Sequence, residues 1–397
     1  MDGFFTVGHP AAVAAVHAML GSNVPHAVLI SGPASVGKFT LALDIAAALL
    51  CTGTAGADRP CRACRTCRMV EHGNHGDLHV LEPSGAGLQI KIGEEMNPEP
   101  GTVRHLVGEL VLLPVEGGQR VAVVRDADRM GDDAQGAILK TLEEPPPGTT
   151  IILCADDEER LLPTIRSRCA RLRLGTVGAR DVEGLLSSRG LAAAPAAARL
   201  ARLTGGRPGL AVAYATAPDA IGIRGELART LLDLLAAGPS ARLAAARVLQ
   251  ARAGELAAAL DAAAASDPEP EAGSARPPRG RKAGKAPAAE DSPDDDADEA
   301  PAKASAKDRR RATSQLLEVW LDLARDLVLA ERGARRTVRD PALLEELEAA
   351  AGKLQPGAAA TFLARIAEAD ALVKGNVTPE LLLDVLLLHW PRQRRAA

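Results

Sequence analysis

The chain has 397 residues, 47% of them hydrophobic and 25% charged, with a formal net charge of −4. That length accommodates two or three domains with substantial cores, and the charge gives no general case for nucleic-acid binding beyond a local basic face. The opening MDGFFTVGHP lacks the basic and then apolar run of a signal peptide, and no apolar stretch approaches the ~18 residues of a membrane span. Aromatic residues make up only 2%, so the core must be Ala, Leu and Val, a composition that favours helices. The expected location is the cytoplasm, where thiols stay reduced and clustered cysteines point to metal rather than disulfides.

In chain order, HAVLI (26–30) is a short apolar strand feeding the turn GPASVGKFT (32–40). KFTLALDIAAALLC (38–51) then carries apolar residues at helical spacing. Gly32, Gly37 and Lys38 follow the pattern G-x-x-x-x-G-K-[ST], in which backbone N–H groups and the lysine hold nucleotide phosphates. Strand before and helix after is the context such a loop requires. Phe39, however, stands where a hydroxyl should hold magnesium, and a hard cation takes oxygen ligands. Thr40 is no substitute, because one step along a helix turns its hydroxyl by ~100°.

Cys61, Cys64 and Cys67 form C-x-x-C-x-x-C, and Cys51 ends the helix before them. Four thiolates at this spacing predict a closed, structural zinc site within a module at 51–75. His72 and His75 rank below Cys51 as the fourth ligand. Arg59, Arg62, Arg65 and Arg68 make the module basic; the reading is that they mainly keep an exposed module soluble, with DNA contact as the competing one. Cys154 and Cys169 stand alone and read as small buried hydrophobes.

Further strands are expected at DLHVLEP (77–83), RVAVVRD (120–126) and TIILCAD (150–156), separated by helices or loops. Strands alternating with helices predict a parallel sheet covered on both faces, closing a first domain at 1–174. A small helical domain is expected at 175–222, and a third, all-helical one at 223–265 and 311–397. Between the two halves of the third lies 266–310, rich in Pro, Gly, Ala and charge, basic over Arg276–Lys285 and acidic over Glu290–Glu299. It reads as a disordered tether, with too little apolar surface to offset its ordering entropy.

KTLEEPPPGTTIILCADDEERLLPTIRSRCARL (140–172) closely resembles the bacterial DNA polymerase III clamp-loader subunits of the AAA+ superfamily. PHAVLISGP before the loop, the cysteine insertion after the loop helix, and NVTPELLLDVLLL (376–388) extend the resemblance over about 4–265 and 311–392. It implies an AAA+ P-loop domain, a helical lid and an oligomerising helical collar. It also implies gamma/tau and delta subunits as partners, with the sliding clamp and primed DNA reached through the complex.

The family has active ATPase subunits and a non-hydrolysing, stator-type one, and several residues separate them. Besides Phe39, Arg125-Asp126 replaces the magnesium-binding acidic pair, Ala155 replaces a sensing threonine, and Gly136 replaces a common asparagine. Asp126 and Asp128 offer carboxylates for magnesium, but several parts of the site would have to be replaced together for hydrolysis to survive. The sequence therefore reads as a silent ATPase, with ATP binding through Gly32, Gly37 and Lys38 left open. Ser167-Arg168-Cys169 is intact. By the resemblance, Arg168 is a finger reaching a neighbouring subunit's ATP, a task suited to a permanent charge on a planar fork. An active gamma/tau-type ATPase is the alternative, and an unrelated P-loop enzyme is more remote.

Overall fold

The computed structural model describes residues 3–22, 24–54, 58–85, 88–116, 118–265, 305–373 and 377–393. Helix α1 (Pro10–Gly21) leads into β1 (Ala27–Ser31), whose five residues are all buried, and then into the loop helix α2 (Lys38–Leu50). A short α3 (Arg65–Glu71), β2 (Leu78–Leu81), α4 (Val103–Val111) and β3 (Arg120–Val124) follow. Helix α5 (Asp132–Glu143), β4 (Thr149–Ala155), the single turn α6 (Pro163–Arg166) and β5 (Ala170–Arg173) complete this half.

The five strands form one sheet in the order β2-β3-β4-β1-β5, and every pairing is parallel. Parallel neighbours need crossover helices, which cover both faces and leave the central strands uniformly apolar. Two separate cores result. One joins α1 and α2 to one face through Val16, Leu41, Ile45, Val28, Ile30 and Ile152; the other joins α4 and α5 to the opposite face through Leu106, Ile138, Leu29 and Leu153. Gly32 leaves β1 at φ 151°, and a Cβ there would run into the Leu174 carbonyl oxygen, so glycine is required at this crossing.

The rest of the described chain is helical. Helices α7 (Ala179–Ser188), α8 (Ala194–Leu203) and α9 (Pro208–Thr216) come first, then α10 (Ala220–Asp233) and α11 (Pro239–Ala265). After 266–304, which lie outside the described residues, come α12 (Ala306–Glu331), α13 (Leu344–Ala351), α14 (Ala358–Val373) and α15 (Pro379–His389). One continuous core runs through this half from Val177 to Trp390, with Trp320, Phe362 and Trp390 packed ring against ring at 4.6–5.3 Å.

One boundary expectation fails. The tether was drawn to 310, but α12 starts at Ala306, because Ser305 and Asp308 form a reciprocal capping box ahead of strong helix formers. No helix among the described residues is long and apolar enough to cross a membrane.

Candidate functional site

The loop between β1 and α2 is tied to the protein itself. Lys38 is buried, and its Nζ donates to the carbonyls of Gly32 (2.8 Å) and Pro33 (2.7 Å) and pairs with Asp156 Oδ1 (2.7 Å). The neighbouring carbonyls are engaged too. His9 Nε2 lies 2.9 Å from the Val36 oxygen, and the Gly209 N–H at the start of α9 donates to the Ser35 oxygen at 3.0 Å. Gly37 caps α2 at φ 105°, a conformation that suits glycine. The lysine of the loop is thus neutralised from within.

Phe39 and Arg125, far apart in the sequence, meet. The Arg125 guanidinium lies 5.0 Å from the centre of the Phe39 ring and also pairs with Glu82 Oε1 at 3.0 Å. Neither a guanidinium nor an aromatic ring offers a divalent ion the oxygen ligands it takes. Asp128 is buried and accepts the Asp156 N–H at 3.1 Å, while Asp126 sits in a left-handed backbone conformation. Burial, followed by the nearby Asp156 charge, raises both carboxyls above the ordinary aspartate range. Ala155 ends β4, its carbonyl accepting the Gly32 N–H at 3.2 Å. Gly136 lies apart, lining a cavity of about 840 Å³ between α4 and α5.

The cysteines of the insertion converge. The Sγ atoms of Cys51, Cys61, Cys64 and Cys67 all lie within 4.8 Å of one another. A tetrahedral shell with Zn–S near 2.3 Å needs sulfurs about 3.8 Å apart, so the set fits a small thiophilic ion. The fine geometry agrees. Cys61 Sγ accepts the Cys64 N–H, and Cys64 Sγ accepts the Cys67 N–H, both at 3.4 Å. Gly53 leaves room for the cluster, since a Cβ there would stand 2.8 Å from Cys61 Sγ and 3.0 Å from the Cys64 Cβ. Burial works against ionising Cys64, but hydrogen bonds from Thr66 and the Cys67 amide outweigh it and bring the thiol down to about 5. Burial and the neighbouring Cys64 sulfur push Cys67 far up instead.

Neither histidine replaces Cys51: His75 is buried with Nδ1 accepting the Asp77 N–H at 3.0 Å, and His72 Nδ1 lies 2.5 Å from the Arg68 carbonyl oxygen. Burial raises the isolated thiols of Cys154 and Cys169 to about 12 and about 11, in keeping with packing roles.

Arg62 is an exception to the reading that these arginines mainly keep the module soluble. It pairs with the buried Asp44 of α2 and with Glu71 of α3 (3.1 Å), and covers the Phe5 ring at 4.2 Å. Asp44 also accepts the amides of Phe5 (3.1 Å) and Thr6 (2.9 Å). One ion pair therefore fastens the cysteine module and the first residues to the loop helix. Spacing alone gave no sign of it, because Asp44 reads as one polar break in an apolar helix.

Arg168 follows α6 and is part-exposed. Its Nη1 donates to the Thr164 carbonyl at 2.9 Å and its Nη2 pairs with Glu143 at 2.7 Å. Arg166 is more enclosed against Glu159, at 2.5 Å, and Arg171 is an exposed strand residue.

Strand order, loop and attached helices define an AAA+ P-loop domain. Within that class, residues 8–177 match the family model described as DNA polymerase III, delta subunit. The chain is 38% identical to the subunit delta' of DNA polymerase III from Pseudomonas aeruginosa, over 46% of this chain and 53% of that protein. It is 33% identical to the Bacillus subtilis subunit delta' over 38% and 42% of the two chains, and 31% identical to a Buchnera aphidicola subunit gamma over 41% and 42%. In these matches the chain spans about half the length of its curated relatives. A solved gamma subunit-related protein of Thermotoga maritima, 16% identical over 95% of this chain and 98% of that one, superposes with a TM-score of 0.39, too distant to add to this.

Proposed function

We propose that the whole chain acts as the delta-prime, stator subunit of a bacterial DNA polymerase III clamp loader in the cytoplasm, assisting the loading of a sliding clamp on primed DNA. The observation that carries this reading is the contrast between its two phosphate-facing devices. The loop around Lys38 is closed on its own carbonyls and stripped of magnesium ligands. Arg168, by contrast, stands part-exposed at the edge of the domain. Such a subunit hydrolyses no ATP itself and lends its guanidinium to the ATP of a gamma/tau neighbour. On this reading the chain comprises a P-loop domain to about 174, a lid to about 222 and a collar beyond it that joins the other subunits, lid and collar sharing one core.

The ion held by Cys51, Cys61, Cys64 and Cys67 is zinc, structural because four thiolates leave no coordination position for water. It would hold the module's turns together and supply no chemistry to ATP. The test is purification of the native complex from cells, with its components identified by mass. Recovery with gamma/tau and delta subunits supports the reading, and recovery without them overturns it.

A further inference from the structure

The segments K-T-L-E-E and S-R-C meet in space through one ion pair, Arg168 Nη2 to Glu143 Oε1 at 2.7 Å. Glu143 is the last residue of α5, and Glu144 follows as its cap. Two carboxylates thus crowd a helix end whose carbonyls already carry partial negative charge, an arrangement unfavourable for the helix itself. A residue that works against its own element is expected where another task sets its identity. The second hold on the guanidinium is the Thr164 carbonyl, which accepts from Nη1 at 2.9 Å.

We propose that Glu143 is a positioning residue for Arg168. It holds Nη2 of the guanidinium while the Thr164 carbonyl holds Nη1, which fixes the plane in which the remaining N–H groups are presented. This rests on the reading of Arg168 as a finger for a neighbour's ATP. An arginine oriented in advance loses less side-chain freedom when it engages phosphate oxygens. Glu143 is about half exposed, at 49%, so water screens its charge and its contribution is aim rather than electrostatic strength. The carboxylate touches neither nucleotide nor metal and moves no proton.

The test rebuilds the loader with Glu143→Ala, Glu143→Gln, Glu143→Asp, Arg168→Ala and the double change Glu143→Ala with Arg168→Ala, and follows ATP turnover against ATP concentration. Glu143→Ala is expected to lower kcat at the facing site on the order of 10-fold, with KM for ATP nearly constant. Glu143→Gln keeps the acceptor oxygen at full reach and should retain most activity, whereas Glu143→Asp keeps the charge but shortens the reach and should retain less. The double change should match Arg168→Ala alone, since a positioning residue has nothing left to position. Glu144→Ala is the control for charge at the same helix end.

Unchanged turnover in Glu143→Ala beside a loss in Arg168→Ala would overturn the positioning role and leave the finger standing. Additive losses would also overturn it, by placing the effect of Glu143 elsewhere. No effect of Arg168→Ala would instead remove the reading beneath it. Where the alanine variant fails to enter the complex, the order of Gln and Asp decides, and Asp outperforming Gln contradicts the proposal.

Discussion

At the scale of single residues, the most consequential contacts join side chains that look ordinary in the sequence. Arg62 and Asp44 are both enclosed, and breaking one partner of a buried pair costs more than the pair contributes. Arg62→Ala is expected to destabilise the first domain by about 3 kcal/mol in denaturant unfolding. Combining it with Asp44→Asn should recover part of that loss, because a neutral amide tolerates the site better than an unpaired carboxylate; no recovery would show that Arg62 acts through Phe5 and Glu71 instead. Phe39 and Arg125 make the complementary point. Each was legible as a departure from the nucleotide-loop pattern, but their stacking was not, because eighty-odd residues of chain separate them, and it is β4, lying between β1 and β3 in the sheet, that brings their strands near.

Among the elements, the parallel sheet was legible because buried strands read as unbroken apolar runs, and α2 because its apolar spacing is helical. The cysteine cluster was legible from its spacing, whereas Gly53 was not, since its role depends on how closely the chain passes Cys61 and Cys64. Gly53→Ala is therefore expected to lower zinc affinity by about 10-fold or more, measured by competition with a chelator, with the sheet still folded. Unaltered affinity would mean that the turn relaxes around an added methyl.

In the last half, Arg242 is buried and donates to the carbonyls of Leu387 (3.2 Å) and Pro391 (2.9 Å) at the end of α15, and to that of Ala237 (3.0 Å) after α10. Nothing in its local sequence separates it from the exposed arginines of other helices. Arg242→Ala should cost about 3–5 kcal/mol by leaving these carbonyls without a donor. The chain's two tryptophans, Trp320 and Trp390, both lie in this core, so intrinsic fluorescence reports on it selectively. A melt unchanged by Arg242→Ala would mean that water replaces the guanidinium.

At the scale of the whole molecule, charges link the small helical region to the last one. Arg207, just before α9, pairs with Glu318 of α12, and Arg224 of α10 pairs with Asp322 at 2.9 Å and Asp340 at 3.8 Å. Arg202 of α8 donates to the carbonyls of Arg336 and Val338, each at 2.7 Å. With α9 also bonded to the loop at Ser35, the first domain connects to the last helices through a chain of fixed contacts. Such a body would serve the proposed stator role, in which force is transmitted only as far as the body resists bending. Replacing Arg224 with Ala would leave Asp322 and Asp340 buried and short of a partner, and should speed hydrogen exchange in α7–α9 as well as α12. Acceleration confined to α12 would contradict this linkage.

The proposed division of labour between a silent loop and a lent arginine is tested most directly by ATP turnover in a loader rebuilt with either Lys38→Ala or Arg168→Ala. Lys38 already spends its charge on Asp156 and its hydrogen bonds on Gly32 and Pro33, so its removal should leave turnover unchanged. Arg168→Ala should reduce turnover with assembly intact. Fingers supplied in trans contribute ~10³–10⁵ in GTPases, but only the site facing this subunit is affected here, so the total loss is smaller. Arg166→Ala and Arg171→Ala control for lost positive charge. Turnover that falls with Lys38→Ala and holds with Arg168→Ala would contradict both halves of the assignment.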